Sequence, residues 1–260
     1  IAGPLERFIY RCCRIDEKQE MSWQNYAAGL MIFNLIGFLA LYLLQRCQDL
    51  LPFNPQGFPG VPPALAFNTA VSFVTNTNWQ AYGGETTLSL LTQAAGLTVQ
   101  NFASTASGMA ALIAFTRGLK RTLANTIGNV WVDLTRSLIY IMLPLSLVMA
   151  LFLVSQGVVQ TLHGPVKVQL LDATADEKWQ PAPERIIPLG PAASQVAIKQ
   201  LGTNGGGFFN ANAAHPLENP TPLSNFIEML AILLIPAALC LTFGGMIGDR
   251  KQGWALLAAM

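Results

Sequence analysis

Two short polar stretches in this hydrophobic chain hold residues that can coordinate an ion. The first is Thr75, Asn76, Thr77 and Asn78; the second is Thr203, Asn204, Gly205, Gly206 and Gly207. Both offer backbone carbonyls, hydroxyls and amides, and neither contains a carboxylate. Neutral oxygens around an axis can replace the hydration shell of a monovalent cation, whereas a divalent-selective ring more often uses Asp or Glu. The chemistry expected is coordination of a large, weakly hydrated monovalent cation, K⁺ before Na⁺. Gly205, Gly206 and Gly207 can take positive φ, which lets successive carbonyls face one way. Thr75, Thr77 and Thr203 add hydroxyl oxygens, and Asn76, Asn78 and Asn204 can brace the loops. Alone, the glycine stretch would read as a flexible turn. A phosphate-binding turn lacks its Gly-Lys-Ser/Thr ending and its preceding strand.

Such loops need elements to carry them. Hydrophobic residues make up 52% of the 260-residue chain and charged residues 11%, against about 25% charged in a soluble domain. That composition points to an integral membrane protein. The net charge of +1 gives no global attraction for nucleic acid. Cys12, Cys13, Cys47 and Cys240 are scattered in a way that suits neither a disulfide framework nor a zinc site. Cys12 and Cys13 read as plain cytoplasmic thiols. The sequence opens on Ile1, closes on Met260 in an apolar run and shows no signal peptide, so it reads as a fragment.

Residues 24–46, 131–155 and 223–247 are long and apolar enough to span a bilayer. Residues 87–116 carry no charge but many small and hydroxyl residues, which suits packing against other helices. A further span is expected to start near Gly253. Pro144 and Pro236 are expected to kink their helices. Basic residues cluster at Arg7, Arg11, Arg14 and Lys18, at Arg117, Lys120 and Arg121, and at Arg250 and Lys251. A span separates each change of side, so all three clusters fall together, in the cytoplasm by the positive-inside rule. Residues 47–86 and 156–222 then face the other side. The second of these holds a polar stretch, 163–188, with Lys167, Asp172, Asp176, Glu177, Lys178, Glu184 and Arg185; it reads as an exposed loop.

Both outer segments share one pattern. A stretch too short to span (64–74, then 191–201) begins near prolines, a favourable helix start. It leads into Thr-Asn residues, then past Glu85 or Glu218 into a spanning helix. The chain therefore divides into two units. Residues 1–120 form the first. Residues 121–260 form the second, with an outer loop at 157–189 and the start of a further span. Irregular backbone at membrane depth is tolerated only within protein or beside a water-filled cavity. The negative C-terminal ends of the short helices would favour a cation beyond them.

The stretches SFVTNTNWQAYGGETTLSLLTQAAGLTVQNFASTASG and LGTNGGGFFNANAAHPLENPTPLSNFIEMLAI resemble the potassium-transporting ATPase A-chain family, and the resemblance covers nearly the whole chain. It implies an all-α integral membrane fold of tandem span–pore loop–span repeats, as in the potassium transporter superfamily. Two of four repeats would be present. It also implies a potassium-binding, channel-like subunit of a P-type pump, in which K⁺ is the transported ion and no organic cofactor is used. Its partners would be an ATP-hydrolysing P-type subunit, small accessory membrane subunits and the lipid bilayer, not nucleic acid. Its location would be the bacterial plasma (inner) membrane. Thr75, Asn76, Thr77 and Asn78 match the first filter loop, and Thr203, Asn204, Gly205 and Gly206 the second. No Asp-Lys-Thr-Gly phosphorylation motif is present, which agrees with a non-hydrolytic subunit. A secondary potassium symporter of the same superfamily and a structural anchor with vestigial loops are the competing readings. Aligned on their Thr-Asn pairs, Thr77 stands against Gly205 and Asn78 against Gly206, so the ring cannot be strictly four-fold.

Around these loops, Gln80, Glu85 and Glu218 are candidates for an outer vestibule. Gln80 could instead bond loop backbone, and the acids could instead favour the N-termini of the following helices. Trp79, Phe208 and Phe209 are expected to wedge the loops in place. Lys199 is expected to point away toward an acid or headgroup. Asp133 and Arg136, three residues apart, are expected to pair on one helix face. Glu228 lies deeper in a span, with a partner expected outside this sequence. His163 and His215 are too far apart in sequence to suggest a metal site.

Overall fold

The computed structural model describes residues 3–122, 124–175, 181–210 and 212–260. Its order is α1 (Gly3–Cys13), α2 (Trp23–Arg46), α3 (Pro63–Val74), the single turn α4 (Gly84–Thr87), a π-helical segment (Thr92–Thr98) running into α5 (Val99–Lys120), then α6 (Val130–Arg136). A second π-helical segment (Ser137–Met142) joins α6 to α7 (Leu143–Ser155), followed by β1 (Val166–Ala175), β2 (Pro181–Ile187), α8 (Ala192–Leu201), α9 (Pro222–Ile247) and α10 (Arg250–Ala259).

Among the described residues, three helices are long and apolar enough to cross a membrane: Trp23–Arg46, Val130–Ser155 and Pro222–Ile247. Their ends follow local chemistry. Ser22 caps α2 through the Asn25 N–H, Asn129 caps α6 through Trp131 and Val132, and Thr221 and Ser224 form a reciprocal capping box on α9. Pro236 lies inside α9 and Pro144 lies in the first turn of α7, just after the π-helical segment. Large apolar side chains such as Ile36, Val148, Leu151 and Leu233 stay exposed along these helices.

The short helices α3 and α8 are different. Ala66, Ala70 and Phe73 of α3 pack with Leu41 of α2 and Leu97. Helix α8 is buried on nine of its ten residues, against α7 and α9 through Met149, Leu153, Ala231 and Ile235. Helix α5 packs against α2, α3, α6, α8 and α9. Its interior face carries Gln100, Asn101, Ser104, Thr105 and Ser107, the small and hydroxyl residues that suit a helix surrounded by protein.

Two sequence expectations are corrected. The polar stretch at 163–188 holds a β-hairpin, with Val166 opposite Ile187 and Gln169 opposite Glu184, so the chain is not wholly α. Val166, Val168, Ile186 and Ile187 supply β-formers that neighbouring Lys167, Glu184 and Arg185 mask. Asp176, Glu177 and Lys178 of that stretch lie outside the described residues. Asp133 does not pair with Arg136. Asp133 is bound by Arg117 at 2.5 and 2.9 Å and lies 2.9 Å from the Tyr26 hydroxyl. Arg136 turns to Glu6 at 2.8 Å and Glu17 at 3.3 Å. Burial explains the exchange: Asp133 faces into the packed side of its helix and Arg136 faces outward. Glu6, on α1, also accepts from the Tyr140 hydroxyl at 2.6 Å. Tyr140 and Arg136 together hold its carboxyl down at about 2.

Candidate ion-coordinating site

The two polar stretches are the exits of α3 and α8, and they share a hydrogen-bonding plan. The N–H groups of Thr77 and Asn78 both donate to the Ser72 carbonyl, at 3.0 and 3.1 Å; those of Asn204 and Gly205 both donate to the Lys199 carbonyl, also at 3.0 and 3.1 Å. Left-handed backbone recurs in step, at Asn76 (φ 59°) and Asn78 (φ 59°), then at Thr203 (φ 64°) and Gly205 (φ 73°). The structural register therefore sets Asn76 against Thr203, Thr77 against Asn204 and Asn78 against Gly205. This corrects the motif alignment by one residue. Backbone geometry, not the Thr-Asn pair, defines equivalence, and Asn is the non-glycine residue best suited to stand where the other loop has glycine.

Only Gly205 of the three glycines has positive φ. Gly206 and Gly207 are needed for space instead. A Cβ on Gly206 would run into the Asn78 amide, and one on Gly207 would lie 2.5 Å from Glu218 Oε1.

The loops are tied to each other. Asn76 Nδ2 donates to the Gly202 carbonyl at 3.0 Å and to Thr203 Oγ1 at 3.2 Å. Asn76 Oδ1 accepts from Ser104 at 2.9 Å and from the Asn204 amide. Thr105 donates to the Gly202 carbonyl at 3.2 Å. One side chain of the first loop thus grips the start of the second, with α5 behind both. Thr75 Oγ1 bonds back to Val71 at 2.9 Å and lies 2.5 Å from Thr77 Oγ1. Asn78 is buried and its amide atoms have no hydrogen-bond partner, so it does not brace the loop as Asn76 and Asn204 do. Among the described residues, no hydrogen bond is donated to the carbonyls of Thr75–Asn78 or of Thr203–Gly206. Those eight carbonyls keep their lone pairs for other ligands.

At Gly207 the pattern stops. Its carbonyl accepts from Gln80 at 2.8 Å and from Lys199 at 2.6 Å, and its N–H donates to Gln80 Oε1 at 3.1 Å. Gln80 is therefore a clamp between the loops. Phe208 donates its N–H to Glu218 at 2.5 Å, and its carbonyl accepts from Gln93 at 3.1 Å. Glu218 is fully buried against this backbone and has no exposure to a vestibule. Glu85 is half-buried in the first turn of α4. Trp79 is 55% exposed, whereas Phe208 and Phe209 are buried and pack edge to face. The wedge expected of all three residues is thus formed by the two phenylalanines alone. Lys199 is fully buried and aimed at the loop's own carbonyl, not away from it.

Glutamines supply much of the hidden support. Gln48 accepts from the Ser89 N–H and donates to the Pro59 and Thr87 carbonyls. Gln195 donates to both the carbonyl and the side-chain oxygen of Gln93. Sequence reasoning missed these residues because a lone glutamine carries no periodic signal. Ser104 and Thr105 were within reach, since they stand in the uncharged hydroxyl-rich stretch at 87–116. Gln200, next to Lys199, donates to Glu228 at 3.2 Å, so the buried acid of α9 finds a partner within this chain.

Bilayer-length apolar helices, with two oxygen-rich loops held by buried polar side chains, are the features of a membrane protein. A family model described as the potassium-transporting ATPase A subunit matches residues 1–260, and the chain belongs to that family. It is 64% identical over 260 residues to the potassium-transporting ATPase potassium-binding subunit of Sorangium cellulosum, covering all of this chain and 45% of that protein. It is 63% identical over 258 residues to the subunit of that name from Herpetosiphon aurantiacus, covering 99% of this chain and 45% of the relative. For the Methylococcus capsulatus subunit of the same name the identity is 59% over 280 residues, covering 100% and 47%. The chain thus spans somewhat under half the length of these relatives.

Proposed function

We propose that this chain is part of the potassium-binding, channel-like translocation subunit of a P-type ATP-driven K⁺ uptake pump. It takes K⁺ from the outer side through a filter and passes it to an ATP-hydrolysing partner. The observation that carries this reading is the pair of cross-tied loops whose carbonyls at Thr75, Asn76, Thr77, Asn78, Thr203, Asn204, Gly205 and Gly206 receive no hydrogen bond among the described residues. The C-terminal ends of α3 and α8 lie directly before these loops, so their partial negative charge favours a cation there.

In this reading α3 and α8 are re-entrant pore helices. Residues 1–120 and 121–260 are two of four tandem span–pore loop–span repeats, the second with the outer segment 157–189. The basic clusters lie in the cytoplasm of a bacterium and the chain crosses its plasma membrane several times. Small accessory membrane subunits complete the assembly. The relatives' names support an ATPase subunit over a secondary symporter.

The test is Gly205→Asp in the full-length protein. A Cβ at Gly205 meets nothing within 4 Å, and the backbone there, at φ 73°, is one that Asp tolerates better than most side chains. Loss of growth at micromolar K⁺, with lowered K⁺ affinity, is the expected result. Unchanged uptake and affinity would remove the filter assignment.

A further inference from the structure

The loops match in backbone, so the places where their side chains differ matter most. In the shared register Lys199 occupies the position of Ser72, because each carbonyl receives the same two loop N–H groups. Ser72 is small and its hydroxyl has no hydrogen-bond partner. Lys199 instead reaches the far end of its own loop. Its Nζ donates to the Gly207 carbonyl at 2.6 Å and stands 5.2 Å from the centre of the Phe73 ring, on the other short helix. Glu218 approaches the same residue from another side: its Oε1 lies 2.5 Å from where a Gly207 Cβ would be, while its other oxygen takes the Phe208 N–H. Both groups are fully buried. They form no direct ion pair among the described residues; each holds the backbone.

We propose that Lys199 and Glu218 are positioning residues that end the ion-facing run of the second loop at Gly206 and thereby set its discrimination among monovalent cations. The proposal rests on the filter reading above. A carbonyl held by an ammonium and by Gln80 is withdrawn from any ion, so Gly207 marks a fixed boundary. Selectivity between cations depends on the number and stiffness of the coordinating oxygens. Without the ammonium, Gly207 keeps only the Gln80 clamp, and its carbonyl can swing toward the ion path as an extra, mobile ligand. With an amide in place of the Glu218 carboxyl, one of the two oxygens that hold this backbone is replaced by a donor, and the Phe208 N–H is held less firmly from the other side. Among the described residues, the first loop has no such pair.

The experiment uses the full-length protein assembled with its ATPase partner, with cation-stimulated ATP hydrolysis measured in K⁺, Rb⁺ and Na⁺ separately. Lys199→Met is expected to lower the preference for K⁺ over Na⁺ by about tenfold, and Glu218→Gln to lower it in the same direction by less. A purely structural role would reduce the yield of assembled complex or the rate in every cation alike. An unchanged preference in whichever variant assembles overturns the proposal, as does failure of both to assemble. Gly205→Asp is measured alongside. If it too leaves the preference unchanged, the filter reading is what has failed; if it alone shifts the preference, only the role of Lys199 and Glu218 falls.

Discussion

Individual loop residues separate backbone strain from side-chain fit. Gly205 has positive φ and open space around its Cβ direction, whereas Gly206 has neither. Gly205→Ala should therefore destabilise by roughly 1–2 kcal/mol, the left-handed penalty alone. Gly206→Ala should do more harm, because the Asn78 amide must move. Asn78→Gly should be tolerated for stability and Asn78→Ala less so, since φ is 59° there. Thermal unfolding of the purified full-length protein in detergent would rank the four; equal losses at Gly205 and Gly206 would contradict this division. The loops' composition was readable from sequence because Thr, Asn and Gly in an apolar chain stand out. Their register was not. Two Thr-Asn pairs invite a motif alignment, and only hydrogen bonds to Ser72 and Lys199 reveal the offset. The roles of Lys199, Glu218 and Gln80 were equally hidden, since a side chain's direction inside a packed loop follows from tertiary contacts.

Among the elements, α5 packs against α2, α3, α8 and α9, and α6 is anchored to it by a buried polar knot. Asp133 is 6% exposed and bound by Arg117, itself 25% exposed, with Tyr26 beside it. Arg117→Ala should cost about 3 kcal/mol, because it leaves a buried carboxylate facing one hydroxyl. Tyr26→Phe should cost about 1 kcal/mol. Denaturation of the pair and the double variant would give a coupling energy, and simple additivity would argue against a shared network. The spanning helices were plain from length and apolar content, and they lie within a residue or two of their expected limits. The short helices were legible from prolines and the run into Thr-Asn. The β-hairpin was not, because charges interrupt its alternation. The Asp133–Arg136 expectation failed for a related reason: spacing of three permits contact on a helix face, but burial of one residue and exposure of the other decides between partners.

For the whole molecule, the arrangement of basic clusters makes a sidedness prediction. In a full-length chain whose native cysteines have been removed, Glu184→Cys on β2 should react with an impermeant maleimide in intact cells. In a second full-length chain that keeps only Cys12 and Cys13, exposed on α1, labelling should follow only after permeabilisation. Reversed labelling would invert the topology. The offset between loops has a last consequence, for anyone who would graft one onto the other. A splice guided by the motif would set Thr-Asn-Thr-Asn over residues 203–206 and put a β-branched threonine at 205, where φ is 73°. Such residues resist that conformation, at roughly 1–2 kcal/mol. A splice guided by hydrogen bonds would set Asn-Thr-Asn over residues 203–205, with an asparagine at each left-handed position. The two chimaeras differ by a one-residue slide, and only the second keeps the native bend.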